Sequence, residues 1–221
     1  MKAVVTADII DYTKLSSNDA TRVIDTISSV FNNPKALSSV RTNLNATFSI
    51  KRGDSIQVEI GVPEDALKVA LLLKTAVNAV NLTPEKKRNK PMVDMRIAIG
   101  IGEIDAQRSD VNISSGEAYE HSGRTLDTMK KSKRKILIKT HSEQWDNEIN
   151  TELALLEEIM KGWKITSAEV LYLTLLGLRE KDIEAELGIT QSAVNQRKAN
   201  AGWSGLEALI NRFEELISGG N

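Results

Sequence analysis

The spacing of apolar residues changes once along this chain, near Ser142, and that change constrains the fold more than any other feature. Before it, runs rich in β-branched residues alternate with amphipathic stretches. After it, every apolar pattern has helical spacing. Residues 2–10 read as a buried strand. Leu15 to Asp19 carries helix-capping chemistry, and Val23, Ile24, Ile27, Val30 and Phe31 then recur at helical intervals until Asn32-Asn33-Pro34. Residues 46–51 and 55–60 flank Arg52-Gly53-Asp54 as a hairpin. Pro63 opens a helix with Leu67, Ala70, Leu71, Lys74 and Val77 on one face. A core strand over 92–101, a helix over 118–131 and a short strand over 135–140 follow.

This order predicts an α+β fold: a ferredoxin-like antiparallel sheet with helices on one face, then a small all-α helix-turn-helix domain. The expected domains are residues 1–141, a linker helix over 142–163, a helical domain over 164–217 and a flexible tail over 218–221. With 221 residues, 41% of them hydrophobic, the chain can bury a real core. Cysteine is absent and histidine occurs only as His121 and His141, which excludes disulfide scaffolds and Cys- or His-rich zinc centres. The first residues, Met1-Lys2-Ala3-Val4-Val5, leave no room for the apolar core of a signal peptide. No apolar run reaches bilayer length. A cytoplasmic protein with no membrane partner is expected.

Three segments carry candidate chemistry. Ala7-Asp8-Ile9 ends the first strand and leads into Asp11-Tyr12-Thr13 and Leu15-Ser16; Gly53-Asp54 sits in the hairpin; Gly116 to Arg124 opens the later helix. Asp8 and Asp54 are hard oxygen donors suited to Mg²⁺ or Mn²⁺. Neighbouring strands could bring them together to hold two ions about 4 Å apart. Arg124 could neutralise charge on a reacting phosphate. Each feature alone is ordinary, since aspartates terminate strands and Gly-Asp makes turns.

In this order and spacing, with Met95-Arg96-Ile97-Ala98-Ile99-Gly100-Ile101-Gly102-Glu103 before the third segment, residues 1–140 resemble class III nucleotidyl cyclases. The whole chain is similar to the SatD-like family of small bacterial proteins. The resemblance implies Asp8 and Asp54 as metal ligands, Arg124 as the transition-state arginine and a nucleoside triphosphate as ligand. It also implies a symmetric homodimer in which Asp8 and Asp54 of one subunit face Arg124 of the other. There are departures. Asp11 stands where cyclases carry a glycine, Glu120 where they carry an asparagine, and Lys51, the candidate nucleotide contact, is one residue out of register with Ile50 in its place.

The stretch Leu178 to Arg197 has the anatomy of a helix-turn-helix. Ile183, Ala185 and Leu187 pack the first helix, Gly188 makes the turn, and Ile189 and Val194 anchor the second. That leaves Gln191, Ser192, Asn195, Gln196 and Arg197 facing outward, with Lys198 beside them, for base edges and phosphates. The stretch resembles sigma-factor region 4 and LuxR-type DNA-binding regions. A basic run, Lys130 to Lys135, is either a solvated helix end or a contact for DNA backbone or triphosphate. DNA binding with a degenerate, nucleotide-sensing cyclase-like domain is the leading expectation. An active cyclase and a dimeric adaptor are the alternatives.

Overall fold

The computed structural model describes residues 1–41, 48–51, 54–83, 89–105 and 115–219. Five strands are present among them: β1 (Lys2–Ile9), β2 (Phe48–Lys51), β3 (Ser55–Ile60), β4 (Met95–Gly102) and β5 (Ile136–Lys139). Helices α1 (Ser17–Asn32), α2 (Pro34–Ser39), α3 (Ala66–Ala79) and α4 (Glu117–Met129) lie between them, and α5 (Glu143–Met160) to α9 (Trp203–Gly219) follow. The strand order is β2-β3-β1-β4-β5. The α+β class is as expected.

Two features differ from the expected sheet. It is mixed, because β5 runs parallel to β4 while the other neighbours are antiparallel. The reason is connectivity: α4 carries the chain back across the sheet, and a crossover helix delivers the next strand parallel. Helices also cover both faces. Ala3, Val5, Ala7 and Ile9 of β1 join the core formed with α1 and α3. Their neighbours Val4, Thr6 and Asp8 point to the other face, where Thr6 Oγ1 donates to Ser122 Oγ of α4 at 3.0 Å. That second face is polar as well as apolar. Beside a small cluster of Ala98, Leu126 and Met129, buried Glu59 accepts from Lys2 Nζ at 2.7 Å and from the Tyr119 hydroxyl at 2.9 Å.

Helix α3 is buried on nearly every side, as expected for a helix apolar all round. It lies between the sheet and α6 (Ile165–Leu175), so one core extends from Val5 through Leu71 to Leu171 and Phe213. The stretch 142–163, expected as a linker, is instead docked on the sheet edge. Asn150 of α5 donates to the Ile138 carbonyl and accepts from the Ile138 amide, both at 2.9 Å. Glu157 Oε1 accepts from the amides of Lys135 (2.8 Å) and Ile136 (2.9 Å). These side chains act as a substitute neighbouring strand and close the exposed edge of β5. Of the expected tail, Ser218 and Gly219 belong to α9, and residues 220–221 lie outside the described residues.

Candidate functional site

Asp8 sits at the end of β1, opposite Ser55 of β3 and Arg96 of β4. Its residue is only 8% exposed. Both carboxylate oxygens are engaged by Arg96: Nε donates to Oδ1 at 2.8 Å and Nη2 to Oδ2 at 3.2 Å. A two-point guanidinium–carboxylate fork is among the stronger charge-assisted contacts, so a cation at Asp8 would compete with Arg96 for the same carboxylate. Asp54 is the turn residue just before β3, where its carbonyl accepts from the Ile9 amide at 3.1 Å. No group of three or more metal-ligating side chains occurs among the described residues. As arranged, the Asp8 carboxylate is already neutralised by Arg96, with which a divalent ion would compete.

Arg124 stands on the outer surface of α4. Its side chain is 81% exposed and pairs with Glu120, one turn earlier on α4, at 2.9 Å. Glu120 is thus engaged by Arg124 on the helix surface. Asp11 adopts φ 58°, ψ 28°, the one left-handed non-glycine conformation among the described residues. A glycine suits that backbone best, and aspartate is among the few residues that tolerate it. Its carboxylate pairs with Lys14 at 3.0 Å in solvent. The side chain of Lys51 lies outside the described residues, as do Arg52 and Gly53.

The stretch Leu178 to Arg197 folds as two short helices joined by a tight turn. Helix α7 (Glu180–Leu187) ends at Gly188, whose φ of 61° is the left-handed cap that glycine provides without strain. Thr190 then caps α8 (Gln191–Asn200), accepting from the Ala193 amide at 3.2 Å. Val170 of α6, Ile183 and Val194 form a separate small core, which fixes the angle between α7 and α8. Gln191, Ser192, Asn195 and Gln196 are exposed on one face of α8. Three residues differ from expectation. Ala185 is exposed rather than packed. Arg197 does not point outward: its side chain is 27% exposed, and Nη1 lies 3.9 Å from Glu169 on α6. Lys198 turns back to Glu180 at 3.1 Å and over the Trp203 ring at 5.7 Å. The hydrogen bonds from Lys198 and Gln191 hold the Glu180 carboxyl below its ordinary range. Acidic partners on α6 and α7 draw both cations inward, leaving a neutral, amide-rich outer face.

A second charged cluster, on the opposite side of the sheet from Asp8, was not singled out by sequence. Lys74 of α3 is fully buried and donates to Asp94 Oδ1 and to the Met95 carbonyl, the latter at 2.8 Å. Lys135 binds the other Asp94 oxygen, and Asn78 donates to Oδ1 at 3.2 Å. Burial alone would raise the Asp94 pKa, but the Lys74 charge and the hydrogen bonds from Lys135 and Lys74 hold it at about 2. One signal was available in the sequence: Lys74 shares the apolar face of α3 with Leu67, Ala70, Leu71 and Val77, and a lysine there requires a buried acid.

No protein-family model matches the sequence, and no curated protein matches it. No helix among the described residues is long and apolar enough to cross a membrane.

Proposed function

We propose that this protein is a DNA-binding regulator whose reading element is α7–turn–α8, with the sheet unit acting as a degenerate cyclase-like scaffold. The observation that carries this reading is the exposed row Gln191, Ser192, Asn195 and Gln196 on a helix locked by Val194 and Ile183. Asn and Gln side chains can pair bidentately with adenine in the major groove, and Ser can bind phosphate. Helix α8 is held at both ends, by the Thr190 cap and by Trp163 Nε1 donating to the Ala201 carbonyl at 3.0 Å. Arg197 and Lys198 enter this reading as positioning groups, free to reach phosphate only by leaving Glu169 and Glu180.

A SatD-like, ferredoxin-like sheet unit fits the order β2-β3-β1-β4. The left-handed backbone at Asp11, where cyclases carry a glycine, supports the same resemblance. A homodimer in the cytoplasm would supply two reading helices. Nucleoside triphosphate with Mg²⁺ or Mn²⁺ at Asp8 and Asp54 belongs to the second reading, an active cyclase. What favours it is the placement of the two aspartates on adjacent strand ends; what opposes it is the Arg96 fork on Asp8.

The test is selection of duplexes from a random-sequence pool by the full chain at low salt. A defined motif should be enriched, and Asn195→Ala with Gln196→Ala should weaken binding to it by roughly tenfold or more, since one good bidentate base contact contributes about 1–3 kcal/mol. The double variant should keep the parental circular dichroism. Absence of any enriched motif, or equal binding by the variant, would remove DNA reading by α8.

A further inference from the structure

A cleft of about 200 Å³ opens where the sheet unit meets the C-terminal helices, and its wall is crowded with lysines. Lys74 comes from α3, Lys90 from the segment before β4, Lys133 and Lys135 from the approach to β5, and Lys161 from the end of α5. Two carboxylates share the wall, Asp94 and Glu157. Neither balances the group. Glu157 is taken up by the Arg134 guanidinium at 3.2 Å and by the two β5 amides. Asp94 is one negative charge against both Lys74 and Lys135. Lys161 reaches out of the cleft to Glu158 at 2.6 Å. Lys90 and Lys133 have no ion-pair partner among the described residues.

Gathering like charges around a concave surface disfavours the folded state unless an anion is drawn in, and a low-dielectric wall strengthens that attraction. Lysines without acidic partners are suited to phosphate as mobile point charges. The cavity is smaller than the ~300–1,000 Å³ of sites that enclose a drug-sized ligand. It has room for a phosphate or diphosphate group, and the nucleoside of a nucleotide would lie outside it. It is also a different place from the Asp8–Arg96 pair, which lies on the α4 face of the sheet.

We propose that this cleft binds the diphosphate group of a small anion, with Lys90 and Lys133 as the free contacts and the Lys74–Asp94–Lys135 cluster as its floor. The occupant would sit against the reading unit. Trp163, in the cleft wall, donates to the Ala201 carbonyl that follows α8, and the Ile165 amide at the start of α6 donates to the Asn89 carbonyl beside Lys90 at 2.9 Å.

The experiment is isothermal titration of the full chain with inorganic pyrophosphate, then with ATP and GTP, repeated on a Lys90→Gln/Lys133→Gln variant and on Asp8→Asn. Pyrophosphate should bind the parent and bind the lysine variant at least tenfold more weakly. Asp8→Asn should bind as the parent does, which separates this cleft from any site at the strand ends. A nucleotide that binds more tightly than pyrophosphate identifies a nucleoside phosphate as the source of the group; equal affinity identifies the free diphosphate. The proposal is overturned if pyrophosphate gives no binding at millimolar concentration, if the lysine variant binds unchanged, or if Asp8→Asn alone abolishes binding.

Discussion

Replacing Asp94 with asparagine is expected to lower the unfolding free energy by about 3–5 kcal/mol at neutral pH, the range for removing one partner of a buried ion pair. The size follows from Lys74. Its side chain is 1% exposed, and apart from Asp94 its ammonium has the Met95 carbonyl as an acceptor. Burial already pushes the Lys74 pKa down, with Asp94 opposing that. Without the carboxylate, the lysine must either stay charged and unpaired or give up its proton. Urea unfolding measures the loss. Adding Lys74→Met to Asp94→Asn should restore much of it, because an apolar side chain of similar length removes the charge that needed a partner. If the double variant is no more stable than Asp94→Asn alone, the buried pair is not the cause.

The same carboxylate sets an acid limit. Its folded pKa is about 2 against an ordinary 3.8, so the folded state favours the ionised form. The stabilisation is fully present above about pH 4 and is lost as pH falls through about 2. The gap corresponds to roughly 2 kcal/mol. Unfolding free energy measured from pH 5 to pH 2 should fall less steeply for the double variant than for the parent.

Gly100→Ala should be nearly as damaging, at the upper end of the ~1–3 kcal/mol that overpacking a tight interior costs. For a chain of this size that lowers the melting temperature by about 6–12 °C. A Cβ at Gly100 would lie 2.2 Å from the Ala118 carbonyl oxygen and 2.4 Å from the Ser122 amide nitrogen, both backbone atoms of α4. Relief requires moving the whole helix off the sheet. That would strain the Thr6–Ser122 hydrogen bond and the 2.9 Å contact of His121 Nδ1 with the Ile101 carbonyl. Gly123→Ala on the same helix is the control. Its Cβ would meet nothing within 4 Å, and alanine there favours the helix by about 1 kcal/mol. Thermal unfolding followed by circular dichroism should move the two variants in opposite directions; equal shifts would mean that α4 does not rest on Gly100.

Local chemistry along the chain determined a good deal by itself. Apolar spacing placed α1 through Val23, Ile27, Val30 and Phe31, all buried. Gly188 marked the turn between α7 and α8 because a left-handed turn conformation depends on one residue and its near neighbours. Asp8 was recognisable as a strand-end carboxylate and Asp54 as a hairpin carboxylate for the same reason. Tertiary structure decided what those groups do. Asp8 meets Arg96 across 88 residues of chain, a pairing set by the β1–β4 register, which neither segment carries alone. Arg197 and Lys198 turn inward because α6 and α7 bring Glu169 and Glu180 beside them. The lysine-lined cleft assembles from α3, the segments leading into β4 and β5, and α5. Periodicity and caps are short-range and are written in consecutive residues. Charge partners and cavities arise only when distant segments are packed together, because coulombic and hydrogen-bond energies depend on separation in space and not on separation in sequence.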